Sequence, residues 1–188
     1  MPKQFRPALV LIALFTVLTG LIYPLAVTGI ARLVFPDQAG GSLTRRGDKV
    51  VGSTLIGQAF TSDRYFHGRP SAAGADGYDA SASSGSNLGP TSKVLIERVR
   101  GEIAATGLKA GTVVPADLVT TSGSGLDPDI SPAAAAFQVA RVAGARKLSV
   151  ERVHGLVKVH TSGRLLGIIG EPRVNVLELN LALDALKS

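Results

Sequence analysis

At 188 residues the chain amounts to one ordinary domain and an additional segment, and is too short for two full-sized domains. It contains no cysteine, which excludes disulfides, thiolate metal sites and a thiol nucleophile, and suits an export compartment. The formal net charge of +6 is not gathered into a basic run, nor are its few aromatics interleaved with Lys and Arg, so nucleic acid is a poor partner.

No charged residue occurs from Pro7 to Ala31. As a helix, a stretch of about 25 residues crosses a hydrocarbon core of about 30 Å with some tilt. The expected organisation is a short tail over 1–7, a transmembrane helix over 8–31 and a folded domain over 32–188. Thr16 and Thr19 interrupt the apolar run, and their hydroxyls can bond back to their own helix. Tyr23 sits near the far end, and Pro24 is placed to kink the helix there. The rival reading is a cleaved signal peptide, with Lys3 and Arg6 as its basic start and Gly29-Ile30-Ala31 as its small-residue site. The apolar stretch is long for a signal peptide, which favours retention. Lys3 and Arg6 precede the stretch while Arg32, Arg45, Arg46 and Lys49 follow it, so the positive-inside rule does not settle orientation by count. The short tail favours a domain outside the cytoplasm.

Beyond the anchor, Ser42–Arg45 and Lys49–Thr54 flank Arg46-Gly47-Asp48 and predict a hairpin turning at the glycine. Leu55–Gln58 is expected to continue an apolar edge into the core. From Ser62 to Pro90 the chain is dense in Gly, Ser, Ala, Asp and Pro, long for a structureless loop, and so either functional or fastened to a partner. Thr91 or Ser92 caps a helix to about Ala105 that stops at Gly107. Pro115 opens a turn over Ala116–Val119. Ser131-Pro132 begins a helix to about Arg146, and Ser149 caps another to about His160. Leu165–Ile169 is an apolar run of strand length, or alternatively a buried loop. Val174–Leu186 reads as a closing helix, although its start fits a strand equally well. The fold class is α+β: one N-terminal transmembrane helix, then one compact mixed domain with a small sheet and about four helices.

No catalytic constellation emerges. His67, His154 and His160 are scattered, so no metal site is expected. Thr121-Ser122-Gly123-Ser124-Gly125 approaches a nucleophile elbow, but Ser122 stands where that motif needs glycine. A hydrolase using Ser122 or Ser124 would lack an evident His–Asp pairing. Asp127 and Asp129 have calcium-loop spacing without its glycine or closing Glu. Ser83–Pro90 offers amides and hydroxyls for a phosphate, although such a loop more often simply turns the chain. Tyr65-Phe66-His67-Gly68-Arg69-Pro70-Ser71 has the composition of an interface hot spot. It fits equally a packed turn in which Arg69 bonds carbonyls. Arg141 and Arg146 belong on a solvated or salt-bridged helix face.

Together these strings resemble a known family. They are Tyr23-Pro24-Leu25 with Thr28-Gly29, Phe35-Pro36 with Gly41-Ser42-Leu43, Gly52-Ser53 with Leu55-Ile56-Gly57-Gln58, and Tyr65 through Ser71. Gly85-Ser86-Asn87-Leu88-Gly89-Pro90, Val119 through Pro128, Gln138 with Arg141-Val142, and Gly170 through Asn180 complete the set in order. The chain resembles the KdpC family, the C subunit of the bacterial high-affinity potassium-transporting P-type ATPase. The resemblance implies a non-catalytic inner-membrane subunit with one transmembrane helix and a periplasmic domain. Its partners would be a channel-like potassium-translocating subunit and an ATP-hydrolysing P-type subunit, which carries the catalytic residues. It also implies a role in assembly and coupling, as a catalytic chaperone that raises the ATP affinity of the hydrolysing subunit. No cofactor of its own is expected, and ATP enters through the partner. The stretch Ser84, Gly85, Ser86 and Asn87 is the implied nucleotide contact, with Ser84-Gly85-Ser86 standing where a Gly-Gly pair is expected. Tyr65, Phe66, Arg69, Pro70, Gln138 and Arg141 are the candidate partner contacts. The alternative function is a periplasmic binding module released by signal cleavage.

Overall fold

The computed structural model describes residues 2–107 and 111–186, so the expected tail begins, and the expected domain ends, outside them. The chain forms two compact units, one to Leu43 and one from Thr44.

In the first unit, helices α1 (Phe5–Val17) and α2 (Tyr23–Val34) join through a widened π-type turn, Leu18–Ile22. The result is one apolar helix over Phe5–Val34, 30 residues with a mean hydropathy of 2.3 in its richest window. That is long and apolar enough to cross a membrane, and it runs past both expected ends. Thr19 Oγ1 donates to Phe15 O at 2.6 Å, the back-bond anticipated for a hydroxyl in lipid. Pro24 lacks an N–H, and its ring would strike the carbonyl four residues back in a regular helix. The wider turn immediately before it absorbs that conflict, with the Tyr23 N–H bonded to Leu18 O. The helix therefore continues through the proline. It ends at Phe35, before Pro36 opens a single turn, α3 (Pro36–Ala39).

The expected hairpin, β1 (Leu43–Arg46) and β2 (Lys49–Ser53), begins at the last residue of the first unit and reverses at Gly47 with φ +61°. Helix α4 (Lys93–Ala105) follows, with Ser92 rather than Thr91 as its cap. The main layer is a three-stranded antiparallel sheet of very short strands: β3 (Asp129–Ile130), β4 (Thr161–Ser162) and β5 (Arg173–Asn175), in the order β3-β5-β4. Val174 at its centre pairs with Ile130 on one side and Thr161 on the other.

Helices α5 (Pro132–Arg146), α6 (Val150–Val159) and α7 (Val176–Ala185) enclose the core with this sheet. Each starts on a side-chain cap. The Ser131 hydroxyl accepts from Ala134 N, that of Ser149 from Arg152 N, and the Asn175 amide oxygen from Glu178 N. The Asn175 cap resolves the ambiguous C-terminal segment, because Arg173–Asn175 extends β5 and helix begins only at Val176. Phe66, Val142, Val153, Val174, Leu179 and Leu183 are fully or almost fully buried at the centre.

The apolar run Leu165–Ile169 is neither a strand nor a buried loop. It is an exposed turn closed on itself by hydrogen bonds between Leu165 and Ile169. A run of aliphatics reads as buried only when a layer exists to cover it, and here the sheet ends short of the turn.

Candidate interaction site

The long segment after Ser62 has only one short helical turn, Ala80–Ala82, in its first thirty residues, so its backbone groups need partners elsewhere. Two helices supply them. Asn180 on α7 accepts from Phe66 N at 2.8 Å and donates to Phe66 O at 2.9 Å. Gln138 on α5 does the same for the next residue, accepting from His67 N at 2.8 Å and donating to His67 O at 3.0 Å. Each buried amide thus imitates a neighbouring strand, and between them the Phe66 ring drops into the core at 0% exposure.

Three arginines extend the clamp. Arg141 donates to the carbonyls of Asp63 and Tyr65 and to Gln138 Oε1. Arg146 donates to Arg64 O at 2.6 Å and to Asp184 at 2.8 Å, while its guanidinium lies 4.8 Å from the Tyr65 ring centre. Arg69 reaches the carbonyls of Thr120 and Thr121 and pairs with Asp127 at 3.2 Å. Downstream, Tyr78 donates to Arg69 O, and Ser71 Oγ accepts from Tyr78 N while donating to Gly125 O. The segment is fastened to its own domain.

The candidate contacts therefore fall in different places. Phe66 and Gln138 are buried, Pro70 is half-buried, and Tyr65, Arg69 and Arg141 are half-buried with polar groups turned inward. Ser84 donates its N–H to Ser124 O at 2.9 Å, and Gly85 lies so near Gly123 O that a Cβ would come within 3.0 Å. Ser86 Oγ accepts weakly from Leu88 N, and Asn87 takes a left-handed φ of +52°. This stretch is a strap across the 122–125 loop. The hydroxyls of Ser122 and Ser124 accept from Gly125 N and Leu126 N inside that loop, whereas His67 and His160 bond the carbonyls of Ser62 and Leu156. Among the described residues, no cluster of three His, Asp or Glu side chains is placed to hold a metal.

Sequence reasoning missed Asn180 and Asp184 as the clamp's anchors, whereas the salt-bridged face expected for Arg146 is present as its pair with Asp184 at 2.8 Å. A signal existed for the first: an amide among Leu177, Leu179, Leu181 and Leu183 lies on a buried helix and must be satisfied.

An open cleft of about 540 Å³ is lined in part by Arg69, Asp117, Asp127, Asp129, Glu171 and Arg173. Its charges are largely matched. Asp117 accepts from Ser131, Asp127 pairs with Arg69, and Asp129 pairs with Arg173 at 3.0 Å. Burial pushes the Asp129 carboxyl above its ordinary pKa despite Arg173. Burial, and secondarily the Arg141 charge, lowers the His67 pKa.

Asp184 yields a pH prediction. Burial pushes its carboxyl up, but hydrogen bonds from Arg146, Tyr65 and Arg46 outweigh this and hold the pKa below its ordinary value. The unfolded chain therefore takes up the proton first. The resulting stabilisation is complete only about one pH unit above the ordinary carboxylate value of about 3.9 and is lost as pH falls through the folded value. The excess thermal stability of the wild type over Asp184→Asn is expected to shrink between about pH 5 and pH 3. Thermal melts followed by circular dichroism check this, and a gap that stays constant over that range refutes it.

A family model described as K+-transporting ATPase, c chain, matches residues 5–185. Curated relatives agree from end to end. A Gemmatimonas aurantiaca protein named potassium-transporting ATPase KdpC subunit is 60% identical over 190 residues, covering 100% of this chain and 96% of the relative. A Caulobacter vibrioides protein of the same name is 62% identical over 189 residues, covering 98% of this chain and 94% of the relative. One from Rhodopseudomonas palustris is 57% identical over 201 residues and covers 100% of both chains.

Proposed function

Because the chain belongs to the KdpC family of K+-transporting ATPase c chains, we propose that it is the C subunit of an ATP-driven, high-affinity potassium uptake pump. The helix Phe5–Val34 holds it in the bacterial inner membrane, with the folded domain on the periplasmic side. The observation that carries this reading is the end-to-end match to proteins named as that subunit, on a chain whose first unit is built on one long apolar helix.

The subunit is non-catalytic. It serves assembly and coupling beside a channel-like potassium-translocating subunit and the P-type subunit that hydrolyses ATP. A periplasmic domain is separated by the bilayer from cytoplasmic ATP. Any rise in the pump's ATP affinity is therefore a coupling free energy transmitted through the membrane subunits, typically about 1–3 kcal/mol. Ser84, Gly85, Ser86 and Asn87 would meet nucleotide only if the domain faced the cytoplasm. The segment from Tyr65 to Pro70, with Gln138 and Arg141, acts from inside by holding the domain's surface in one shape.

The test is purification of the C-terminally tagged chain in mild detergent from native membranes grown with scarce potassium. Stoichiometric recovery of a P-type ATPase and a channel-like polytopic protein is expected. Recovery of the chain alone, soluble and shortened past Ala31, would overturn the reading. Orientation is read in the same cells. The chain has no cysteine, so Glu151→Cys on α6 offers one thiol, which a membrane-impermeant maleimide should label from outside.

A further inference from the structure

The exposed turn between β4 and β5 places four large aliphatics, Leu165, Leu166, Ile168 and Ile169, in water at 56–82% exposure. None joins the hydrophobic core, so the fold would lose little if they were polar. Single exposed aliphatics need no explanation, but a cluster at the tip of a turn marks a site of contact.

The turn is also closed on itself by hydrogen bonds. Leu165 N donates to Ile169 O at 2.9 Å and Ile169 N to Leu165 O at 3.0 Å. Gly167 N closes on Arg164 O at 3.1 Å. One Arg164 nitrogen meets both Glu171 oxygens, at 2.7 and 2.8 Å, clasping the base of the turn. Leu166 is held at φ +53°, a left-handed conformation in which a bulky side chain is an outlier, and nothing in the core demands it. A preformed apolar tip loses little conformational entropy when it binds.

We propose that Leu165–Ile169 is a preformed apolar plug that seats in an uncharged crevice on another subunit of the same pump. The proposal rests on the subunit reading above. The collar of the plug selects this occupant over the bilayer. Arg164 is neutralised by Glu171 and Arg173 by Asp129, whereas a loop dipping among anionic headgroups gains from unpaired cations. The turn has no aromatic ring and the chain has no Trp, the residues that favour the membrane interface. A second copy of this chain is a weaker fit. A stable dimer buries about 800 Å² per partner, more than a five-residue turn offers by itself, whereas a plug needs only to add to a larger subunit contact.

The experiment uses the full chain in native membranes. Ile168→Cys introduces a unique thiol that carries a benzophenone maleimide, and the product of photolysis is identified by mass spectrometry. A crosslink to another pump subunit is expected. In parallel, the double variant L166N/I168T replaces the tip with residues suited to its backbone, Asn being tolerant of the left-handed region. It is expected to lower the recovery of the other pump subunits at least tenfold while leaving the thermal midpoint of the isolated chain unchanged or raised. Crosslinking only to phospholipid or to a second copy overturns the proposal, as does wild-type recovery by the double variant. If the unaltered chain recovers no other pump subunit, the subunit reading itself fails. If the unaltered chain and the variant recover them equally, only the plug fails.

Discussion

Replacement of Phe66 by alanine is expected to destabilise the domain by about 3–5 kcal/mol, the range for emptying a fully buried aromatic site. The ring has 0% exposure and belongs to the same cluster as Val142, Val174, Leu179 and Leu183. Its surroundings cannot collapse easily into the space, because the backbone of Phe66 is pinned by Asn180 and that of His67 by Gln138. A loss of this size is a large share of the roughly 5–15 kcal/mol that stabilises an ordinary domain. Urea unfolding of the full chain in detergent, followed by circular dichroism, measures it. A loss below about 1 kcal/mol would mean that the ring is not a core residue.

Asn180→Ala is expected to rank with it, although it removes far less apolar volume. The Asn180 side chain is the partner of both backbone groups of Phe66, and the residue is 2% exposed. Its loss strands a buried donor and a buried acceptor at about 1–3 kcal/mol each, so a total of about 2–6 kcal/mol follows. Asn180→Asp keeps the acceptor but removes the donor and buries a charge, so it should not rescue. The two positions act on one residue, hence the double variant Phe66→Ala with Asn180→Ala should lose less than the sum of the single losses. Strict additivity in the same urea experiment would show that the clamp and the ring do not work together.

These two effects mark the boundary between what was legible in the sequence and what was not. Composition alone carried the apolar helix, because twenty-odd uncharged residues satisfy their backbone groups only within a helix when in lipid. Ser92, Ser131 and Ser149 were legible as helix starts, since a cap joins residues only three apart. Leu165–Ile169 failed that kind of reading. Aliphatic character states what a residue prefers, and whether a layer reaches it depends on where two strands of two or three residues stop.

The string from Tyr65 to Ser71 shows the same limit from the other side. Its aromatics and arginine fit a contact surface and a packed turn equally well, and each reading follows from composition. The structure turns them inward, because 114 residues along the chain an amide on α7 meets Phe66, and 71 residues along another on α5 meets His67. By itself the sequence determined the long apolar helix, the α+β class, most helix starts and the family, all of which rest on local spacing or on the order of short strings. Only the tertiary structure decided which polar residues clamp the long segment and which aliphatics stay in water. Those outcomes depend on contacts between distant parts of the chain, and spacing along the sequence does not encode them.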